Sequence, residues 1–184
     1  MRTYRRNGST ARLACAVVAG VLLFGLAPAG SVRAQVVVAH SAASASSGVT
    51  LGGLVEHSMQ LTAADLRTMP STTIDVSFKT EHGVTQAAWT GVPLWAVIQR
   101  AGLSTAVTSN RLTMLQHIVL ATGRDSYTVA FSLGELDPRF GASKAMVVYA
   151  RDGQPLANDG LRLVVPGDTM GGRAVQTLTS LEIQ

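Results

Sequence analysis

Thiols are almost absent from this chain: Cys15 is its one cysteine. An intramolecular disulfide is therefore excluded, as is a metal site built from several thiolates. Aromatic residues make up only 5% of the chain and charged residues 14%, so neither stacked bases nor a dense ionic surface is indicated. There is no Gly-x-Ser-x-Gly elbow, no His-Glu-x-x-His, no Gly-x-Gly-x-x-Gly and no phosphate-cradling Walker loop. The formal charge of +4 is misleading. Five of the 15 basic residues and none of the 11 acidic ones lie in the first 34 positions, which leaves ten against eleven beyond them. No Lys/Arg cluster remains there to form a nucleic-acid footprint.

What is present begins with an export signal. Arg2, Arg5, Arg6 and Arg12 form a basic opening, Leu13 to Leu26 is apolar and uncharged, and Pro28 and Gly30 break the run. Val32-Arg33-Ala34 then offers small residues at the positions a signal peptidase reads, predicting cleavage between Ala34 and Gln35. A spanning helix prefers about 20 mostly apolar residues without such breaks, so no stable transmembrane anchor is expected. The protein is expected to be periplasmic or secreted. Cys15 lies in the segment removed, so the mature protein is expected to be thiol-free. Residues 35–48 are mostly small and polar, offer little to bury, and read as a flexible linker. Residues 49–184 read as one domain, long enough to bury a core without cross-links.

Three helix starts follow one rule. Thr62 with Asp65, flanked by Leu61 and Leu66, forms a cap and staple, and Pro70 stops that helix. Pro93 suits a first helical position before Leu94, Val97, Ile98 and Ala101, with Gly102 as the C-terminal cap. Ser132 with Glu135 repeats the cap before Pro138. Strands are expected where Ile74, Val76 and Phe78 alternate with polar residues, over Leu115–Ala121 and Tyr127–Phe131, and where Leu161, Leu163 and Val165 alternate. Ala145–Tyr149 has no polar residue and suits a central strand covered on both faces; Val175–Ile183 closes the domain. Trp95 is expected in the core, whereas Trp89 suits either core or cleft wall. The fold class is α+β, a mixed β-sheet domain with short connecting helices.

Arg162 stands out, a guanidinium inside an apolar strand. It keeps its charge when enclosed and needs an acceptor. Asp159 and Asp168 are possible internal partners; the alternative is a cleft in which Arg162 meets a phosphate or other oxyanion. Arg173, after Gly171-Gly172, offers a second positive charge. His57, His82 and His117 have no metal-ligand spacing, and Ser104 and Thr105 have no identifiable base. No residue is assigned a catalytic or metal-ligating role.

Several segments together resemble a known family. Trp89-Thr90-Gly91-Val92-Pro93-Leu94 resembles the "W-x-G-V-P-L" stretch of sulfite-oxidase-like, molybdopterin-binding oxidoreductase domains. Ala121-Thr122-Gly123-Arg124-Asp125-Ser126-Tyr127 is similar to their "A-x-D-G-Y" turn, with serine for glycine. Asp152-Gly153-Gln154-Pro155-Leu156 and Gly160-Leu161-Arg162-Leu163-Val164-Val165-Pro166-Gly167 resemble the "N-G-x-P-L … G-x-P-x-R-L-x-x-P-G" signature. The resemblance implies the sulfite oxidase molybdopterin-binding fold, with a cleft for a phosphate-bearing pterin and molybdenum. It implies Arg162, Arg173, Asp159, Gly160, Trp89 and Thr80 as cofactor-binding candidates, with Arg162 first. It also implies a molybdenum-binding cysteine in a stretch that reads Phe78-Lys79-Thr80-Glu81-His82-Gly83 here. Thr80 or a neighbour occupies that region, Asp159 replaces the usual histidine, and Gln176 replaces a basic residue. Molybdopterin is thus the implied cofactor, with no thiolate-ligated molybdenum. The implied partners are a small anion or a separate electron-transfer or interaction protein.

Overall fold

The computed structural model describes residues 48–141 and 143–184. The leader expected over 1–34, and the linker up to residue 47, lie outside the described residues. Strands β1 (Val49–Gly53) and β2 (Met59–Leu61) lead into helix α1 (Ala63–Arg67). A long hairpin of β3 (Thr72–Thr80) and β4 (Gly83–Pro93) follows, then α2 (Leu94–Ala101), α3 (Thr105–Thr108) and α4 (Arg111–Met114). Next come β5 (Ile118–Gly123), β6 (Thr128–Ser132), α5 (Leu133–Leu136), β7 (Met146–Arg151) and β8 (Gln154–Pro155). The chain ends with β9 (Arg162–Val164) and β10 (Leu178–Ile183).

These strands form two sheets. One runs β2-β1-β10-β5-β6, and the other runs β3-β4-β7-β8 with β9 also on β7. The β1–β10 pair is parallel and every other named pairing is antiparallel, so the α+β class with mixed sheets is observed. The main core packs Leu51, Val119, Phe131 and Leu181 of the first sheet with Val92, Val147 and Leu163 of the second, together with α1 and α2. A second cluster of Val76, Phe78, Trp89, Met146, Val148 and Val164 covers the other face of the second sheet. Strand β7 therefore alternates its side chains between two buried clusters, which explains its lack of polar residues.

Local chemistry sets the helix ends. Thr62 Oγ1 accepts from Asp65 N at 3.2 Å while Thr62 N donates to Asp65 Oδ2 at 2.8 Å, a complete capping box. The Thr62 hydroxyl, which donates to Asp65 Oδ2 at 2.7 Å, and then the Thr62 N–H lower the Asp65 pKa. Pro93 is the N-cap of α2 rather than its first helical residue, and it also ends β4. Ser132 caps α5 through Gly134 N at 3.2 Å, one residue earlier than the expected Glu135 box. Of the two places open to Trp89 the structure shows the core, where it is 0% exposed, whereas Trp95, expected in the core, is only partly buried against it.

Asp137 anchors the loop after α5. Its carboxylate, 1% exposed, takes a 2.6 Å ion pair from Arg139 and a 2.8 Å bond from the Arg139 backbone N–H. The Arg139 side-chain hydrogen bonds are the main cause that lowers the Asp137 pKa. A depressed folded-state pKa adds stability that is full above the unfolded value, about 4, and is lost as pH falls below it. Asp137→Asn is expected to lower stability by about 1–3 kcal/mol at pH 7. The gap from wild type should narrow below about pH 4, measured by urea unfolding across pH.

Candidate functional site

A cleft lined by two arginines opens where the chain crosses from the second sheet to the first. Val175 exchanges backbone hydrogen bonds with Leu163 at 3.0 and 3.1 Å, extending the second sheet beside β9. Three residues later, Leu178 begins β10 of the first sheet while its N–H donates to Leu161 O at 2.8 Å. The turn after β5 is tied to the same crossing, because Arg124 N donates to Thr177 O at 3.0 Å. A cleft of about 290 Å³ lies between these segments, lined by Arg124, Leu156, Ala157, Asn158, Gly160, Leu161, Arg162, Gln176 and Thr177. It shares Arg124, Gln176 and Thr177 with a neighbouring space of about 560 Å³ that reaches Asp125, Tyr127 and Gly171.

Arg162 projects from the second-sheet face that carries Trp89. Its guanidinium carbon lies 5.0 Å from the centre of the Trp89 ring, and that of Arg151 lies 5.4 Å from the same ring. Each stack gains about 0.5–2 kcal/mol from the ring quadrupole. Among the described residues, Arg162 Nε is buried with no hydrogen-bond partner, and so is Trp89 Nε1. Burial, and then the charge of Arg151, lowers the Arg162 pKa. A guanidinium nevertheless stays protonated, so Arg162 is a fixed half-buried cation with an unused donor.

The other candidates divide clearly. Gly160 lines the cleft beside Arg162. Asp159 ends the 3-10 turn Ala157–Asp159, whose Asn158 lines the cleft with φ of 56°. Trp89 lies behind Arg162 and does not line the cleft. Arg173 serves the protein itself. It bonds both oxygens of Asp168, at 2.9 and 2.6 Å, reaches Glu135 at 3.6 Å and stacks 5.6 Å from the Phe131 ring. Asp168 is thereby occupied and is not the partner of Arg162. Thr80 closes the β3–β4 hairpin, donating to Gly83 O at 2.9 Å and accepting from His82 N at 3.2 Å. Gly83 lies six residue steps along β4 from Trp89, about 20 Å of strand, so Thr80 and Arg162 are not brought together.

Sequence reasoning missed Arg124 as a cleft residue. Its side chain is exposed and lines both spaces. The family-like turn contained the residue, but only the bond to Thr177 places it opposite Arg162. Ser126, which stands where the family pattern has glycine, keeps a glycine-like φ of 65°.

A molybdopterin has two demands, and the residues meet one. Two guanidiniums, one with an orphaned Nε–H, suit the pterin's phosphate, which accepts charge-assisted hydrogen bonds. The metal's thiolate demand is not met. Thr80 offers a hard hydroxyl engaged in its own turn, and a soft thiolate site is not replaced by it. Among the described residues no group of three or more His, Cys, Asp and Glu is placed to hold a metal ion.

Two sheets, their crossing and the cleft beside the arginine strand define a sulfite-oxidase-like α+β domain. The family model for the oxidoreductase molybdopterin binding domain matches residues 34–184. The chain belongs to that family. Its fold is similar to the sulfane dehydrogenase SoxCD from Paracoccus pantotrophus, with a TM-score of 0.59 and 22% identity. The match covers 74% of this chain but 37% of that one, so the chain spans little more than a third of that protein's length. No curated protein sequence gives a significant match.

Proposed function

We propose that this protein is an exported molybdopterin-binding module that holds the cofactor through its phosphate and provides no thiolate to molybdenum. The observation that carries the reading is the pair Arg162 and Arg124 on one cleft, with Arg162 Nε lacking a partner. Cofactor phosphate enters between them. Gly160 lets the backbone approach, and Trp89 holds the Arg162 plane from behind. Conventional molybdenum redox catalysis is absent on this reading, because Thr80 stands where the family's cysteine is expected. Electrons, if exchanged at all, pass to a separate partner. Export with cleavage after Ala34 places the mature chain in the periplasm or outside the cell; among the described residues no helix is long and apolar enough to cross a membrane. A second reading, a non-catalytic module for a small anion or a protein partner, draws on the same basic cleft.

The test is expression with its own leader in a host that makes the cofactor. The exported protein is purified, its mass measured, molybdenum quantified by elemental analysis and pterin by fluorescence after oxidation. A mass beginning at Gln35 and bound pterin without stoichiometric molybdenum are expected. Molybdenum at one per chain would overturn the thiolate argument. Folded protein with neither group would overturn the cofactor reading in favour of the second one.

A further inference from the structure

Thr177 is a β-branched residue with φ of 48°, in the left-handed region. Branching at Cβ makes this conformation unfavourable, and such outliers persist only where the surroundings fix them. Here the fixing is visible. The Thr177 carbonyl accepts from Arg124 N at 3.0 Å, and the next residue, Leu178, donates to Leu161 O at 2.8 Å. The residue is thus clamped between the two segments that carry the cleft's arginines. It lines both adjoining spaces and is exposed. Glycine or asparagine would occupy the same backbone conformation with less strain. Packing does not explain the threonine, since an exposed side chain fills no core.

We propose that Thr177 is a ligand-contacting residue of the cleft, donating its hydroxyl to the oxyanion that Arg162 and Arg124 attract. The left-handed backbone holds Thr177 on the cleft wall that also carries Arg124 and Arg162. A threonine in this conformation costs stability, a trade found at binding sites. The inference rests on the oxyanion reading of the cleft and adds a neutral donor that the family signature does not supply.

The experiment is titration of the full exported chain with inorganic phosphate, followed by calorimetry, together with thermal unfolding of the unliganded protein. Thr177→Val keeps the branched shape and loses the donor; about tenfold weaker binding with an unchanged Tm is expected. Thr177→Ser keeps the donor and should bind within about twofold of wild type. Thr177→Gly should unfold at a higher temperature while binding as weakly as the valine variant. Phosphate binding by wild type and Thr177→Val alike would overturn this inference and leave the oxyanion site standing. No phosphate binding by folded wild type would overturn both.

Discussion

Gly91→Ala is expected to prevent the domain from accumulating in folded form. A Cβ built on Gly91 would stand 2.6 Å from Val148 Cα and 2.8 Å from Val148 Cγ1, and closer still to the Val147 carbonyl oxygen. Real Cβ atoms do not approach backbone so closely, and the obstructing atoms belong to β7. That strand cannot retreat. It is buried on both faces, pairs with β9 on its far edge, and supplies Met146 and Val148 to one cluster and Val147 to the other. Moving β4 instead would disturb the irregular pairing between Thr90 and Gly91, the start of α2 and the seat of Trp89. The cost is expected to exceed about 3 kcal/mol, a large share of the usual 5–15 kcal/mol of a domain. Soluble yield and thermal unfolding check it. Gly172→Ala is the control: its Cβ would meet nothing within 4 Å, so near-wild-type unfolding is expected. A folded Gly91→Ala protein with wild-type Tm would contradict the close approach of β4 and β7.

The same residue shows why part of this architecture was legible. In Trp89-Thr90-Gly91-Val92-Pro93-Leu94 each distinctive residue has a separate physical duty. Trp89 fills the outer cluster, Gly91 admits β7, Val92 enters the main core, Pro93 ends the strand and caps α2, and Leu94 begins the buried helix face. The alternation in β3 and the apolar run in β7 were readable because burial acts on consecutive residues. Strand β4 was not recognised, since Gly83–Ala88 is small and polar and the Glu81-His82 turn lacks an Asn-Gly or Asp-Gly signal. Nor was the parallel pairing of β1 with β10, whose strands lie at opposite ends of the domain sequence. Such partners are chosen by the packing of the whole core rather than by local preference.

The site divides in the same way. A lone arginine among apolar residues announced Arg162, because enclosing a charge always demands an explanation. Arg124 could not be found so. Its segment is polar, and its relevance depends on one backbone bond to a residue about fifty positions later. Arg173 is the converse: two glycines and a charge suggested a ligand loop, but Asp168, five residues earlier, is close enough to take the guanidinium bidentately.

Arg162→Met is expected to separate binding from stability most sharply. Methionine keeps the length and the apolar stem and can still lie against the Trp89 ring. It removes a cation whose burial lowers its pKa and whose Nε has no acceptor. An unsatisfied buried donor costs about 1–3 kcal/mol, partly offset here by about 0.5–2 kcal/mol of cation–π attraction. The unliganded variant should therefore be as stable as wild type or more so, by up to about 1 kcal/mol. Binding should move the other way. A hydrogen bond to a charged group contributes about 1.5–3 kcal/mol, so phosphate or pterin affinity should fall by roughly ten- to 150-fold. Arg162→Lys should recover part of it, keeping the charge while losing the planar fork that stacks on Trp89. Denaturant unfolding and calorimetric titration on the same preparations measure the two effects. Lowered stability with unchanged affinity would make Arg162 a structural cation, and the oxyanion site would have to be sought elsewhere on the protein.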